Sequence, residues 1–545
     1  MNESKSAPTA LFGAVVLLNI LLFLNCLRLF YQNAPEVLAS SCDTGWIVKT
    51  GEYILQHFSI PTRDIFTWTN ASQPFVAYQW LFEVFCALLF TAGGIWLVGA
   101  ICYLLTGLLY LFLLPAIWQR FKLPLFLSYA SLSLVLTPWW FNARPQLASY
   151  YLILIFIAIL EKNRRSPSKL IWILPPAMIL WANLHSFWSV GLLILSVYTI
   201  IAALKKREQF PLMIGVCLMT FASILVNPYG WGLPRHIISF ADNEQWMGVW
   251  EVLPSYISPD FKYFFAYLVI MWMALVRTRK TVPIEHFVLC AIATVAAIGV
   301  RRYETVAVFM TWPCFGMALA NAPQVHNYVQ NMQNWSGGLV SELLTGKWFT
   351  TTKRSIISAI ALTTLSLGFW TYQFPNEQRA LAAFCNYGDE SLLYFTKNFE
   401  NKHDFFSDPA TGSWLELLGA VPIFIDTRYD MYPKQFCQNA IFCVAGADGW
   451  DSFLNKNKIR VVVLRNIAAG LSQKLRTSKD WYVFMDDGVV SIYLRSADAP
   501  AVTTRLKMTD QDLPHAKLAR QTVQRTLLAR RQQENLSTNS WRPTF

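Results

Sequence analysis

The chain has 545 residues, of which 54% are hydrophobic and only 14% charged, and its 45 Lys and Arg against 33 Asp and Glu leave a formal net charge of +12. Soluble domains carry about 25% charged residues, so an ordinary soluble globular protein is excluded. In so apolar a chain, surplus Lys and Arg mark cytoplasmic loops and lipid headgroup contacts, and no nucleic-acid-binding motif is present.

The chain opens with "MNESKSAPTALFGAVVLLNILLFLNCLRLF", an apolar run too long for a signal-peptide core and followed by no small-residue cleavage site. It reads as a retained helix. Further apolar segments lie near 78–92, 95–118, 122–140, 146–160, 169–183, 186–204, 210–226, 261–276, 283–300, 303–320 and 355–372, many of them close to the roughly 20 residues that cross a bilayer. The basic connectors are "WQRFK", "EKNRRSPSK", "KKRE" and "RTRK". If 78–92 lies in the interface rather than spanning, all four connectors join the N-terminus inside, as the positive-inside rule asks. About eleven transmembrane helices then remain.

That topology gathers "SSCDTGWIVKTGEY", "WFNARPQ", "WANLHSFW", "NPYGWGLPRH" and "GVRRYET" on the outer face. Arg301 and Arg302 break the positive-inside trend there and call for a counter-charge, either a bound phosphate or a neighbour such as Glu304 or Glu251. From Thr44 to Phe58 the pattern is helical. Ile47, Thr50, Gly51, Ile54 and Phe58 share one face, and Gly45, Lys49, Glu52 and Gln56 the other. Such a helix is expected to float on the membrane surface. Asp43 stands at its N-cap position, Lys49 and Glu52 are spaced to pair, Pro61 stops the helix and Asp64 follows in a turn.

The composition changes after the last apolar segment. "VPIFIDTRYDMY", "KIRVVVLR" and "WYVFMDDGVVSIYLR" read as strands and "GSWLELLG" as a helix. The expected organisation is a transmembrane domain over 1–320 with a first outer loop at 31–94, a cytoplasmic loop at 321–354, a last span at 355–372, a small outer α/β domain at 373–500 and a basic polar tail at 501–545. The ten Cys are scattered and show no zinc spacing. Cys385, Cys437 and Cys443 fall in the outer domain and read as free thiols, with a disulfide there left open.

The stretch "DTGWIVKTGEYILQHFSIPTRDIFTWT…PFVAYQWLFEVF", with "ARPQLASYYL", "LWANLHSFW", "VNPYGWGL", "RRYETVAVFMTWP" and "VPIFIDTRYDMY" in order after it, resembles the GT-C superfamily of membrane glycosyltransferases, and more closely a bacterial subgroup of GT-C-like proteins. The ordered set covers most of the chain. It departs from the subgroup's pattern at Gln79, where Glu is usual, and at Ser186, where Gly is. The superfamily includes protein O-mannosyltransferases, aminoarabinose transferases and oligosaccharyltransferases.

The resemblance implies a mostly α, polytopic protein of a bacterial inner membrane, with the N-terminus cytoplasmic and the C-terminal domain periplasmic. It also implies inverting transfer of a sugar from a polyprenyl-phosphate donor to a glycan, lipid or protein acceptor. Asp43 is then the expected general base, with Glu52 or Asp64 assisting. Lys49, Arg144, Asn183, His185, Arg301 and Arg302 are the candidates for binding substrate, the arginines because a guanidinium fork suits phosphate. No obligatory metal or other cofactor is expected, although oligosaccharyltransferases of the superfamily use a metal. Membrane lipid is an expected partner, as is a membrane protein through the C-terminal domain; nucleic acid is not. Two rival readings are a flippase for lipid-linked sugars and a non-catalytic scaffold of the same fold.

Overall fold

The computed structural model describes residues 42–71, 73–109, 143–242, 250–258, 261–320, 389–400, 403–420, 422–465, 469–486, 490–498 and 501. The expected spans at 10–30, 122–140 and 355–372, the loop 321–354, Cys385 and nearly all of the tail lie outside them.

Helix α1 (Thr44–His57) is followed by α2 (Trp80–Leu108), α3 (Gln146–Arg165), α4 (Leu174–Leu184), α5 (Trp188–Leu204), α6 (Phe210–Ser223), α7 (Gly232–Asp242), α8 (Phe261–Arg277), α9 (Ile284–Gly299) and α10 (Tyr303–Ala320). The described elements up to Ala320 are helical. Helix α3 is long and apolar enough to cross a membrane. Ile200 and Leu204 on α5, Leu218 and Phe221 on α6, Phe265 and Met273 on α8 and Val295 on α9 all face outward, the pattern of helices whose outer faces meet lipid. At the end bearing the basic loops, buried Glu161 of α3 accepts from Arg164, from Tyr198 of α5 at 2.8 Å, and meets His286 of α9 at 3.0 Å. Glu285 pairs with Arg207 at 2.6 Å.

Helix α2 is broken at Gly93 and Gly94, the latter at φ 65, a left-handed conformation open to glycine. The break falls between the two apolar segments that the sequence separates. The part before it carries Glu83, fully buried, and packs along α1. Their closest approach is at Gly51, where a Cβ would stand 2.0 Å from the Glu83 carbonyl oxygen.

The C-terminal unit consists of α11 (Asp389–Asn398), β1 (Phe405–Ser407), α12 (Pro409–Leu417), α13 (Lys434–Val444), α14 (Trp450–Lys456), β2 (Val461–Arg465), α15 (Ala469–Thr477), β3 (Trp481–Asp486) and β4 (Val490–Arg495). The sheet order is β1-β2-β4-β3, with β1 parallel to β2 and the other pairs antiparallel. Strand β2, the β3–β4 hairpin and helix α12 match the sequence reading. The short strand β1 was not expected. "VPIFIDTRYDMY" is not a strand. It makes a single parallel bridge between Ile423 and Thr67, then a 3-10 turn at Tyr429–Met431. Cys437 and Cys443 are buried free thiols.

This unit is not a separate outer module but is built onto the first loop. The Trp68 N–H donates to the Ile423 carbonyl at 3.0 Å and the Ile423 N–H to that of Phe66 at 2.8 Å. Arg428, 2% exposed, lies over the rings of Phe66 and Phe75. It donates to Asp64 at 3.0 Å and to Asp426 at 2.5 and 2.9 Å. A buried guanidinium is tolerable only with such partners.

The expectation of a helix floating on the surface is therefore corrected. Ile47, Thr50, Gly51 and Ile54 are buried as the periodicity implies, but so are Thr44, Gly45, Trp46 and Val48. Gly45, on the face expected to be polar, packs so tightly on α12 that a Cβ would stand 1.7 Å from the Ser413 carbonyl oxygen. Helix α1 is clamped between α2 and the C-terminal unit. Phe58, expected on the apolar face, instead ends the helix in a left-handed conformation and is 93% exposed.

Burial, and then the like charge of Asp426 with Asp64 behind it, pushes the Glu416 carboxyl well above its usual range against the pull of Arg428. The folded protein keeps that proton where the unfolded chain loses it, from about pH 4.3 upward. Folding then binds a proton, so this contribution to stability falls as pH rises. Glu416→Gln should flatten the decline, its melting-temperature advantage over wild type widening from pH 4.5 to 8. Gly51→Ala should destabilise by about 1–3 kcal/mol through overpacking, read as a lowered melting temperature in detergent at one fixed pH.

Candidate active site

Asp43 occupies the N-cap position of α1, yet its side chain caps nothing. Its carboxylate turns away from the helix. Oδ2 lies 2.8 Å from Arg144 Nε, and Oδ1 accepts from the Thr427 hydroxyl at 2.6 Å. Thr427 Oγ1 in turn accepts from the Trp46 indole N–H at 3.0 Å. The Thr427 hydroxyl of the C-terminal unit, itself held by Trp46 of α1, thus fixes one oxygen of Asp43, while Arg144 supplies the cation for the other.

Arg144 stands where Pro145 begins α3. Its Nη1 donates to Glu251 Oε1 at 2.7 Å, and Nη2 lies 3.7 Å from Cys42 Sγ. One guanidinium therefore bridges Asp43 and Glu251. The loop that carries Glu251 is pinned to the loop after α9 by two backbone bonds, Arg301 N–H to Leu253 O at 2.9 Å and Arg302 N–H to Glu251 O at 2.8 Å. Burial alone would raise the Glu251 carboxyl, but Arg144, with Arg302 and Arg301 beyond it, outweighs burial and holds it below the usual range.

Behind Arg302 lies the Phe187 ring, 5.7 Å from the guanidinium carbon, and then His185, edge-on to Phe187 at 4.4 Å. His185 is buried, with Nδ1 2.8 Å from the Ser149 hydroxyl. Burial first and the charge of Arg302 second push the imidazole well below its usual range, so it is neutral. On the other side of the site Tyr78 stacks at a tilt on His236, and His236 Nε2 is 3.5 Å from Asp430.

The fold thus brings together Asp43, Arg144, Arg301, Arg302 and His185 from four separate loops. It does not bring the others to them. Lys49 and Glu52 pair with each other at 2.8 Å on the partly exposed side of α1. Asp64 is enclosed by Arg428 and the Thr67 hydroxyl, and the geometry assigns it to holding the C-terminal unit rather than to a reacting group. Asn183 accepts from the Trp80 indole at 2.7 Å and donates to the Ile179 and Val226 carbonyls, which uses its amide fully. Thr427, Tyr78, His236 and Asp430 are additions. The signal for Thr427 was its place in "VPIFIDTRYDMY", which the pattern reads only as a strand.

Arg144 fills the space between Asp43 and Glu251, and among the described residues no three His, Cys, Asp or Glu side chains are grouped to hold a metal.

No family model and no curated protein matches the chain. Among solved structures it is similar to the oligosaccharyltransferase of Archaeoglobus fulgidus, tethered with an acceptor peptide, at 11% identity over 89% of this chain and 74% of that one, TM-score 0.46. It is also similar to ArnT of Cupriavidus metallidurans in the apo state, at 11% identity over 86% and 97%, TM-score 0.44. For the same ArnT bound to undecaprenyl phosphate, the identity is 14% over 90% and 98%, TM-score 0.44. At these scores the chemistry of the site rests on its own residues.

The lowered carboxyl of Glu251 gives a signed expectation. Its contribution to stability is complete above the unfolded value near about pH 4.3 and is lost as pH falls below it. Glu251→Gln should lose less stability than wild type between pH 5 and 3, measured as the drop in melting temperature, while at pH 7 it should be the less stable of the two by roughly 1 kcal/mol, the ordinary scale for a partly exposed pair.

Proposed function

We propose that the protein is an inverting glycosyltransferase of the GT-C type that moves a sugar from a polyprenyl-phosphate donor to an acceptor hydroxyl or amine on the outer face of a bacterial inner membrane. The observation that supports this reading most is the orientation of Asp43, a carboxylate at a helix N-terminus that caps no backbone and is aimed at an arginine among further arginines.

In this reading Asp43 takes the proton from the acceptor as the acceptor oxygen or nitrogen attacks the anomeric carbon. The bond from that carbon to the phosphate oxygen breaks on the opposite face, and the configuration inverts. The electron pair leaves on the polyprenyl phosphate. Arg144, Arg301 and Arg302 oppose the charge that develops there, through bonds that are shorter and stronger to an anion than to a neutral group. Before the donor arrives, Asp43 and Glu251 hold Arg144 in place. A phosphate competes for that guanidinium and releases Asp43 toward the acceptor. The Thr427 hydroxyl keeps Asp43 oriented throughout. The acceptor enters beside Tyr78, His236 and Asp430, and the lipid chain lies against the apolar helices.

The test is transfer of label from radiolabelled polyprenyl-phosphate sugars to a membrane extract that serves as the acceptor pool. Asp43→Asn should lower the rate by roughly 10²–10⁴-fold, the range for loss of a general base, with its melting curve retained. Arg144→Lys should keep the charge but weaken donor binding, since Lys lacks the fork geometry, and so raise the donor KM more than it lowers kcat. Equal transfer by wild type and Asp43→Asn would remove Asp43 as the base. Donor bound without transfer by wild type would instead favour the flippase or the scaffold.

A further inference from the structure

The end of the helical bundle opposite Asp43 carries a feature that glycosyl transfer does not use. Helices α8 and α9 leave between them an outward-facing groove of ≈ 1160 Å³. Its walls are apolar, formed chiefly by Phe265, Val269, Met273 and Ile298, and its end is formed by Arg277, Arg279 and Lys280. The polar groups of the floor are already satisfied. The Trp272 indole donates to Thr294 Oγ1 at 3.1 Å, and that hydroxyl donates to the Cys290 carbonyl at 2.7 Å. Nothing in the slot asks for a polar guest.

The end of the slot does. Arg277, Arg279 and Lys280 are exposed, and among the described residues no carboxylate pairs with any of them. Arg207, by contrast, has its own partner in Glu285. From Phe265 to Arg277 the helix rises roughly 18 Å, slightly more than one leaflet of a hydrocarbon core about 30 Å thick. Three cations without counter-ions at the mouth of an apolar slot one leaflet deep match an anionic headgroup with an acyl chain below it.

We propose that this groove binds an anionic phospholipid from the leaflet on the side of the basic loops, its phosphate held by Arg277, Arg279 and Lys280 and one acyl chain lying along α8. Two other occupants are disfavoured by charge. The apolar run 355–372 follows Lys347, Lys353 and Arg354, and a second copy of the chain would bring the same three cations; either places like charges together.

The experiment is native mass spectrometry of the full chain released from nanodiscs of phosphatidylcholine containing a minor share of phosphatidylglycerol. Melting curves in both lipids are recorded in parallel. Wild type should retain phosphatidylglycerol over phosphatidylcholine by roughly a hundredfold beyond their ratio in the disc, the scale expected for three Lys and Arg at an anionic surface. The triple variant Arg277→Gln, Arg279→Gln, Lys280→Gln should lose that preference and the accompanying gain in melting temperature. Arg277→Lys with Arg279→Lys should keep both, which separates loss of charge from loss of fold. Met273→Trp, which fills the slot but leaves the cations, should lower retention of both lipids. Equal retention of the two lipids by wild type, or an undiminished preference in the triple variant, would overturn the proposal. So would retention of no lipid at all, the result expected if a segment of the chain occupies the slot.

Discussion

One buried guanidinium decides how the first loop and the C-terminal unit sit against each other. Arg428 comes from the C-terminal unit and is received by Asp64 of the first loop, more than 360 positions earlier in the chain. Taking the three charges out of water is costly, and the bonds that Arg428 makes to both carboxylates offset that cost only while the two segments stay together. The bridge between Thr67 and Ile423 and the rings of Phe66 and Phe75 complete the joint. Thr427 is the residue before Arg428. Once Arg428 is seated, the Thr427 hydroxyl is delivered to Asp43. A structural ion pair thereby sets the orientation of the candidate base.

The candidate site uses charge in a different way. Around Arg428 the charges are sealed from solvent and have no other role to play. Around Arg144 they are partly exposed, with side-chain exposures of 10% for Arg144, 20% for Asp43 and 26% for Glu251, so the guanidinium is open to an incoming anion in place of either carboxylate. Arg301 and Arg302 add positive potential beside them. Their backbone bonds to the Glu251 loop hold that potential in place, a pre-organisation that lowers the cost of opposing charge as it develops.

The two ends of the helical bundle are built on the same principle with opposite results. At the end bearing Asp43, Arg144 stands between two carboxylates. At the other end Glu161 and Glu285 pair with Arg164 and Arg207, and Glu161 joins α3 to α5 and α9. The cations of the α8–α9 turn are left over. Between the two ends several helices leave large apolar side chains exposed, and beside the candidate site α1 makes contacts as close as glycine permits, at Gly51 against α2 and at Gly45 against α12.

Much of this was legible in the sequence, because it follows from local periodicity and composition. The apolar runs, the helical spacing from Thr44 to His57, strand β2, the β3–β4 hairpin and the gathering of Asp43, Arg144, Arg301 and Arg302 on one face all depend on residues near one another or on the sign of loop charge. What the tertiary structure decided was partnership. Asp43 reads equally well as a cap or as a site carboxylate until Arg144 and Thr427 are seen beside it, and Asp64 reads as a second acid until Arg428 encloses it. Gly45 reads as part of a polar face until Ser413 is found against it. Each of these depends on a contact between segments about 100 to nearly 400 residues apart. Periodicity reports which side of an element is buried. It does not report what that side is buried against, because that is settled by the packing of the whole chain.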